Sequence, residues 1–322
     1  MEHNSNFVYK TDENCKKKYL VIDVGGTFVK YAVMDEDGSF IEKDKRPVEK
    51  ESLNDFIDML VSIYESTAGE VEGIAISAPG MIDSESGFMY NGGSIFCIEN
   101  INIVDILQRR CKVPVSVEND AKCAGLAEVW KGALSDCRNG VAMIIGTAVG
   151  GAVIVDRKVL HGRNFMAGEF SYIFTNADEY SIRRKLSAEA NGVPGLIRMV
   201  SARLGIPEKE LNGEKIFALA NQGDEKVRDV LRAYCRQIAI QISNFQYVVD
   251  PDRVVIGGGI SVQPLFLQLV KEELRTINEV FPYQMPIPEV AACKFFNDAN
   301  LIGALYVHLS SRKTEADRTK VS

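Results

Sequence analysis

The stretch SVENDAKCAGLAE, residues 116–128, decides how the rest of the chain is interpreted. An apolar run over 113–117 predicts a strand, and small apolar residues at helical spacing after position 120 predict a helix. Asn119 and Asp120 are therefore expected where a strand ends and a helix begins, which is where open α/β sheets bind ligands. Asp120 is also suited to cap the helix, and the spacing alone leaves both roles open.

Two further stretches share one pattern: a buried strand, a glycine loop, a second strand and a tight turn. The first copy has a strand over 19–24 and the loop Gly25-Gly26-Thr27, and the second has a strand over 140–145 and the loop 146–151. A duplicated unit with a phosphate-sized loop in each copy predicts an α/β protein of two similarly folded domains that face a cleft. Two ordinary hairpins within one sheet are the alternative.

A third glycine loop, Gly257-Gly258-Gly259, follows an apolar strand over 253–256 and precedes a helix pattern at 263–277. Backbone N–H groups of such loops can approach an anion closely, so the three loops could hold one polyphosphate. None of them has the Walker pattern or the dinucleotide-binding pattern. Together with the carboxylates of Asp23 and Asp120 at two strand ends, they predict phosphoryl transfer, with Asp120 accepting the proton of the attacking hydroxyl.

Composition excludes several classes of protein. The chain has 322 residues, 46% of them hydrophobic and 25% charged, which fits a soluble globular protein long enough for two domains. A net charge of −7 argues against nucleic acid or an anionic membrane as a partner. Neither a membrane span nor a secretory signal is visible, so a cytosolic location is expected.

Cysteine usage points to reduced thiols. The seven cysteines are scattered, without C-x-x-C spacing, and there are only three histidines. A structural zinc site built from clustered Cys and His is therefore not expected.

Considered together, the motifs resemble those of the ROK family of sugar kinases and repressors, which has the actin/hexokinase/Hsp70-like fold. The resemblance covers roughly residues 19–310. Its stretches are Asp23 to Thr27 with Lys30, Glu118 to Ala121, Gly146 to Gly151, Ala167 to Glu169 and Gly257 to Gly259. It implies phosphorylation of a hexose or related sugar by ATP with Mg²⁺, usually at the 6-hydroxyl, and a homodimer.

The resemblance also implies roles for single residues, with Asp120 as the general base. The residues expected to contact the sugar are Asn119, Glu169, Gly80 and Asn91. Those expected to hold the phosphates are Gly25, Gly26, Thr27, Lys30, Gly146, Thr147, Ala148, Val149, Gly150 and Gly151. Asp23 would orient Mg²⁺ through water, and Gly257, Gly258 and Gly259 would lie near the nucleoside. For Glu169 and Lys30, a purely solvent-facing side chain is the alternative.

The sequence departs from the family pattern on the sugar side. Phe170-Ser171-Tyr172 stands where the family often has x-Gly-His, and 173–195 contains no cysteine for the family's zinc cluster. Either Ser187 or Glu189 lies near the place of a further sugar-binding glutamate. We therefore expect a zinc-free branch with a rebuilt pocket around C1 and C2 of the sugar. A β-glucoside, a disaccharide or a modified sugar is the hypothesised substrate.

Ala148 and Ala152 occupy positions where the family usually has glycine. If the backbone there has a positive φ, alanine is strained, and kinase activity would be weakened or lost. A catalytically silent sugar sensor is therefore the alternative. A family repressor carries a DNA-binding winged helix ahead of the sugar domain, and only 18 residues precede the first predicted strand.

The domain organisation follows from the repeat. The segment 81–100, rich in Gly, Ser and Asn, is predicted to be a loop or short hairpin that lines the cleft, and 101–111 a helix. The expected units are a disordered tail 1–18, a first domain 19–119, a second domain 120–296, a helix 297–310 returning to the first domain and a disordered tail 311–322.

Overall fold

The structure, a computed structural model, describes residues 16–67, 71–175 and 186–321. The strands are β1 Lys18–Val24, β2 Phe28–Asp35, β3 Phe40–Pro47, β4 Ile74–Ala78, β5 Met81–Asp83, β6 Phe88–Asn91, β7 Glu99–Asn102, β8 Val115–Asn119, β9 Gly140–Ile145, β10 Val149–Val155, β11 Lys158–Val159, β12 Arg253–Gly257 and β13 Glu289–Ala292. The helices are α1 Leu53–Ser66, α2 Ile103–Cys111, α3 Asp120–Lys131, α4 Ser187–Asn191, α5 Val193–Leu204, α6 Gly213–Asn221, α7 Glu225–Val249, α8 Pro264–Asn278 and α9 Ala299–Val321.

Two five-stranded sheets share one topology. The first has the order β3-β2-β1-β4-β8 and the second the order β11-β10-β9-β12-β13. In each sheet the first three strands along the chain are antiparallel neighbours, and the last two run parallel to the first. The predicted duplication is therefore confirmed, and the alternative of two hairpins within one sheet is wrong.

The segment predicted as a loop or short hairpin forms a small antiparallel sheet of β5, β6 and β7. Its third strand includes the first two residues of the predicted helix, so α2 begins at Ile103 instead of position 101. Asn102 ends the strand and caps the helix, because its side chain accepts a hydrogen bond of 2.9 Å from the Asp105 N–H.

β1 is apolar throughout because both faces of the first sheet are covered. Leu20 and Ile22 pack in the cluster that includes α1, whereas Val21 packs in the cluster that includes α3 and α9. In the second sheet, Met143 of β9 lies in the cluster that includes α5 to α8. Ala142 points to the other face, where α3 packs.

α3 lies between the two sheets, and this position explains its small residues. Cys123 and Ala124 face the first sheet, while Leu126 faces the second. α9 crosses α3 so closely that a Cβ on Gly303 would come 1.8 Å from the Cys123 carbonyl oxygen.

The last helix packs against β1, β4 and β8 of the first sheet as well as against α3. It continues to Val321, so the predicted helix end at position 310 was wrong, and the predicted disorder of the tail 311–322 stays a prediction. Most of the predicted tail 1–18 lies outside the described residues. The domain boundaries stay our interpretation, since α3 contacts strands of both sheets.

The first two glycine loops are equivalent hairpin tips. The strands flanking them pair last at Val24 with Val29, and at Ile145 with Val149. The third loop packs behind the second tip, because Gly258 has a φ of +90° and a Cβ there would come 2.0 Å from the Ile145 carbonyl oxygen. No helix in the described part of the chain is long and apolar enough to cross a membrane.

Candidate active site

A cavity of about 370 Å³ opens between the two sheets and brings together residues from both halves of the chain. It is lined by Pro79, Gly80, Met81, Asn91, Gly93, Asn119, Asp120, Ala121, Ile144, Gly146, Ala148, Gly150, Met166, Glu169, Ser171, Tyr172 and Asn300. All the residues predicted to contact the sugar or its proton are among them. The phosphate residues among them come from the second hairpin alone.

Asn119, and not Asp120, is the N-cap of α3. Its Oδ1 accepts hydrogen bonds from the Ala121 N–H at 3.0 Å and the Lys122 N–H at 3.2 Å, and its Nδ2 donates to the Gly80 carbonyl at 3.1 Å. The capping role considered for Asp120 is thus filled by its neighbour. Asp120 is the first helical residue, and its Oδ1 also accepts from the Ala121 N–H, at 2.8 Å.

The position of Asp120 changes its acidity. Burial raises the pKa of this carboxyl to about 6, and the negative charges of Asp23 and Glu169 act in the same direction. The hydrogen bond from the Ala121 N–H and the positive charge of Lys122 oppose the shift. A carboxylate with a pKa near 6 is ionised at neutral pH and is well matched to accepting a proton from an alcohol.

Asp23 lies at the end of β1 with its carboxylate held in place. Its Oδ1 accepts from Ser77 Oγ at 3.0 Å and from Asn300 Nδ2 at 2.9 Å. Its Oδ2 lies 3.7 Å from Lys30 Nζ, whose side chain is 46% exposed. Lys30 therefore fits both predictions made for it: its side chain is partly exposed to solvent, and its ammonium group also lies next to the Asp23 carboxylate.

Glu169 is paired with a buried lysine that the sequence interpretation missed. Lys122 Nζ lies 3.2 Å from Glu169 Oε1, and its side chain is 2% exposed. The same Nζ donates to the Phe165 carbonyl at 3.4 Å. This lysine on α3 fixes both the carboxylate and the loop that carries it, so Glu169 is not a solvated loop carboxylate.

Glu118 anchors the same loop from the first sheet. This buried carboxylate accepts from the Asn119 N–H at 2.7 Å through Oε1, and its Oε2 lies 2.7 Å from His161 Nε2. The His161 nitrogen is also 3.1 Å from Ser84 Oγ. The segment that carries Glu169 is thereby tied to the strand that carries Asn119 and Asp120.

Gly80 and Asn91 approach each other beside the cavity, Gly80 from the turn before β5 and Asn91 from the end of β6. A Cβ on Gly80, whose φ is +110°, would come 2.1 Å from the Asn91 carbonyl oxygen, so only glycine fits. The Asn91 Oδ1 accepts from the Gly93 N–H at 3.1 Å, and Asn91 lines the cavity.

The tip of the second hairpin suits an anion. Gly146 donates its N–H to the Ala148 carbonyl at 2.9 Å, whereas the N–H groups of Thr147 and Ala148 have no acceptor among the described residues. A Cβ on Gly146 would contact nothing within 4 Å. Free amides in an open, glycine-containing turn are the arrangement that binds phosphate oxygens.

The expected strain at the two alanines is absent, since neither Ala148 nor Ala152 has a positive φ. Ala148 is exposed at the hairpin tip. Ala152 is fully buried and faces Gly125 of α3, where an added Cβ would come 2.5 Å from the alanine methyl group. The Ala152 methyl group therefore fits because position 125 of the helix is glycine.

Two predicted phosphate residues have packing roles instead. The Val149 N–H already donates to Ser171 Oγ at 3.2 Å. A Cβ on Gly151 would come 2.3 Å from the Phe170 ring, so this glycine makes room for a core aromatic residue.

A second cavity of about 340 Å³ lies next to the third glycine loop. It is lined by Val193, Asn212, Gly213, Glu214, Phe217, Gly259, Ile260 and Gln263. The Val193 N–H donates to the Gly146 carbonyl at 2.8 Å, which joins this cavity to the hairpin of the first. Gly259, one of the three glycines expected near the nucleoside, lines this cavity, whereas Gly257 and Gly258 pack against the second sheet.

The sequence profile of the ROK family matches residues 19–310. The chain belongs to the ROK family. It is 32% identical to a β-glucoside kinase of Klebsiella pneumoniae over 90% of this chain and 95% of the relative.

Solved structures of ROK family proteins have the same fold as this chain. A ROK family protein from Streptococcus pneumoniae in complex with sucrose has a TM-score of 0.83 at 29% identity, covering 92% of this chain and 99% of that one. A ROK glucokinase from Streptomyces griseus in complex with glucose and AMPPNP has a TM-score of 0.76 at 24% identity, covering 90% and 98%. The predicted hexokinase-like fold is confirmed, and so is the enzyme class, an ATP-dependent carbohydrate kinase.

Within this ROK kinase, neither candidate for the further sugar-binding glutamate lines the cavity. Ser187 is buried and lies 3.0 Å from Gln241 Nε2. Glu189 pairs with Arg198 at 3.1 Å on the surface. Instead, Ser171 and Tyr172, which stand where the family often has x-Gly-His after its Ala-Gly-Glu, line the cavity.

The sequence interpretation missed two residues that line the cavity, Asn300 and Met166, and Lys122, which pairs with the lining residue Glu169. Asn300 comes from the start of α9, far along the chain from its partner Asp23. Lys122 lies inside the quoted motif, two residues after Asp120, and its place in that motif was an available signal. Met166 carried no signal of its own beyond its place just before Ala167-Gly168-Glu169.

Proposed function

We propose that this protein transfers the γ-phosphoryl group of ATP to the 6-hydroxyl of a glucoside, with Asp120 as the general base. The observation that carries the proposal is the position of Asp120, in a cavity shared by both sheets and opposite the free amides of the second hairpin tip. Phosphoryl transfer depends mainly on such positioning and on neutralising charge.

In the proposed mechanism, ATP with Mg²⁺ supplies the phosphoryl group and balances its charge. Asp120 accepts the hydroxyl proton, which its raised pKa favours. Asn119, Glu169 and Asn91 hold the sugar ring in the cavity. The Thr147 and Ala148 amides receive phosphate oxygens, and the approach of the two halves excludes water.

The donor residues fit the proposed cofactors. Asp23 presents Oδ2 at the cleft end of β1 while its Oδ1 is fixed by two hydrogen bonds, which suits orientation of Mg²⁺ through water. The second cavity, with Phe217 and Ile260 in its lining, suits the base of the nucleotide. We also propose that no structural zinc is present, because 173–195 lacks cysteine. Metal analysis of the purified protein tests this.

A substituted sugar is supported by two relatives and by the cavity. The Klebsiella relative is a β-glucoside kinase, and the pneumococcal relative binds the disaccharide sucrose. Here Tyr172, which is 62% exposed, faces the cavity where the family often has histidine. The larger apolar ring of a tyrosine offers more contact area to a substituent at C1 than an imidazole does, while its hydroxyl remains a hydrogen-bonding group.

The test is a kinase assay with Mg-ATP over glucose, amino sugars, cellobiose and methyl and aryl β-glucosides, with product position determined by NMR. Asp120→Asn is expected to lower kcat by at least about 100-fold without weakening ATP binding. Near-wild-type turnover by this variant would remove Asp120 from the mechanism. Glucose turnover equal to or better than that of every glucoside would overturn the proposed substrate.

We further propose a homodimer. Val248 is 82% exposed at the end of α7, and Val280 and Tyr283, which follow α8, are 76% and 66% exposed. The rings of Tyr247 and Phe281 lie 6.1 Å apart and so bring these two segments together. Exposed apolar side chains grouped in this way favour association between copies. A monomeric mass by light scattering at micromolar concentration would contradict the proposal.

A further inference from the structure

The mouth of the sugar cavity is apolar although its inner surface is polar. Met166 and Tyr172 line the cavity while remaining 41% and 62% exposed. Tyr90, which is 38% exposed, precedes the cavity residue Asn91, and Phe165 precedes Met166. The amides and carboxylates inside the cavity can bind the polar part of a ligand, and the apolar side chains at its mouth can contact an apolar part of the same ligand.

Tyr90 and Phe165 stack on each other across the cleft. Their ring centroids are 5.6 Å apart with an interplanar angle of 27°. Tyr90 belongs to β6 in the first half of the chain, whereas Phe165 belongs to the loop after β11 in the second half. Phe88 meets the Tyr90 ring edge-on at 5.0 Å, which fixes its orientation.

Phe165 is held in a strained conformation. Its φ is +59°, which bulky residues rarely adopt. Its N–H donates to the Gly162 carbonyl at 3.4 Å, and its own carbonyl accepts from Lys122 Nζ at 3.4 Å. Backbone strain of this kind persists where the surrounding structure maintains it, often at ligand sites. The strained position of Phe165 beside the cavity therefore indicates a function for its side chain.

We propose that Tyr90, Phe165, Met166 and Tyr172 form an aromatic platform that binds a flat, apolar substituent on the anomeric carbon of the sugar, such as an aryl group. The inference rests on the proposed function. Aromatic side chains bind planar rings by offset or edge-to-face stacking, whereas a methyl substituent or a free hydroxyl gains little from them. The platform therefore selects among glucosides and does not take part in proton transfer.

The test compares phenyl β-D-glucoside with methyl β-D-glucoside in the full-length protein. Phe165→Gly removes the ring and suits a positive φ, so folding is not at risk from backbone strain. The ratio of the two kcat/KM values is expected to fall about 3- to 10-fold, the usual size of an aromatic stacking contribution. Tyr90→Ala is expected to lower the ratio similarly, and Phe165→Tyr to preserve it.

Tyr247→Ala is the matched control, because Tyr247 also stacks near a phenylalanine, Phe281 at 6.1 Å, but outside the cavity. An unchanged ratio in both Phe165→Gly and Tyr90→Ala would overturn the platform while leaving the kinase assignment intact. A similar fall in the control would overturn it as well. Failure of the wild-type protein to phosphorylate any sugar would instead count against the proposed function.

Discussion

At the scale of single residues, the site concentrates negative charge in a small space. The negative charges of Asp23 and Glu169 act on the carboxyl of Asp120, and the buried Lys122 pairs with Glu169. Such an arrangement costs stability in the empty protein, and charge carried in with the substrates changes it. The raised pKa of Asp120 is the measurable sign of this cost.

Removing the charge of Asp120 should increase the stability of the folded protein. Native Asp120 holds its proton up to about pH 6, whereas an unfolded aspartate releases it near 3.8. The native state therefore binds more protons between these values, and its stability falls as the pH rises through that window. Asp120→Asn is expected to raise the free energy of unfolding by about 1–3 kcal/mol at pH 8 and by less at pH 5.

Urea unfolding at the two pH values measures this difference. Asp229→Asn, a change at an exposed position of α7, serves as control and should alter stability by less than about 0.5 kcal/mol. Equal effects of Asp120→Asn at both pH values would show that the native carboxyl is not held protonated above its ordinary range.

At the scale of elements, α3 and α9 determine how the two sheets meet. Both helices carry small residues where they cross, and the backbone approach at Gly303 leaves no room for a side chain. Glu128 of α3 adds a polar anchor, because its buried carboxylate accepts from the Ala133 N–H at 2.7 Å and the Lys294 N–H at 2.8 Å. The connection between the halves thus depends on close backbone packing and not on long side chains.

Gly303→Ala is expected to destabilise the protein by about 1–3 kcal/mol or more, because the methyl group would displace the Cys123 carbonyl and separate the helices. Gly213→Ala at the start of α6 is the matched control, since a Cβ there would contact nothing within 4 Å. The control should be neutral or stabilising by up to about 1 kcal/mol. Equal midpoints of thermal unfolding for the two variants would contradict the packing argument.

At the scale of the whole molecule, the last helix, α9, packs against the first strand, β1, through His308. His308 of α9 is 1% exposed and lies 3.0 Å from Ser116 Oγ through its Nδ1. Its ring also packs against Tyr19 at 5.4 Å. The Nε2 atom has no hydrogen-bond partner among the described residues, so this imidazole is adapted to remain neutral.

Low pH should destabilise the packing of His308 against Ser116 and Tyr19. Burial lowers the pKa of His308 to about 4 from 6.5, and the nearby charge of Arg312 acts in the same direction. The unfolded chain therefore binds more protons between these values, so this contribution to stability is lost as the pH falls from 6.5 towards 4. His308→Gln should reduce the loss of unfolding free energy between pH 6.5 and pH 4 by up to about 3 kcal/mol.

The measurement is the free energy of unfolding of both proteins at several pH values. The difference between them is the quantity to follow, because Asp120 titrates in the same range with the opposite sign. Parallel pH profiles for the variant and the wild-type protein would show that His308 is not the responsible group.

The chain itself determined the long buried strands, the three glycine loops and the place of Asp120 between a strand and a helix, because buried strands need continuous apolar runs and tight turns need glycine. Those signals are local, so the positions of β1, β9 and Asp120 could be predicted from the printed residues. The folded molecule alone decided which loop glycines line the cavity and which ones, such as Gly151, make room for a core ring. It also decided that Ala152 is unstrained and that Asn300 supports Asp23, since both depend on contacts between residues far apart in the chain.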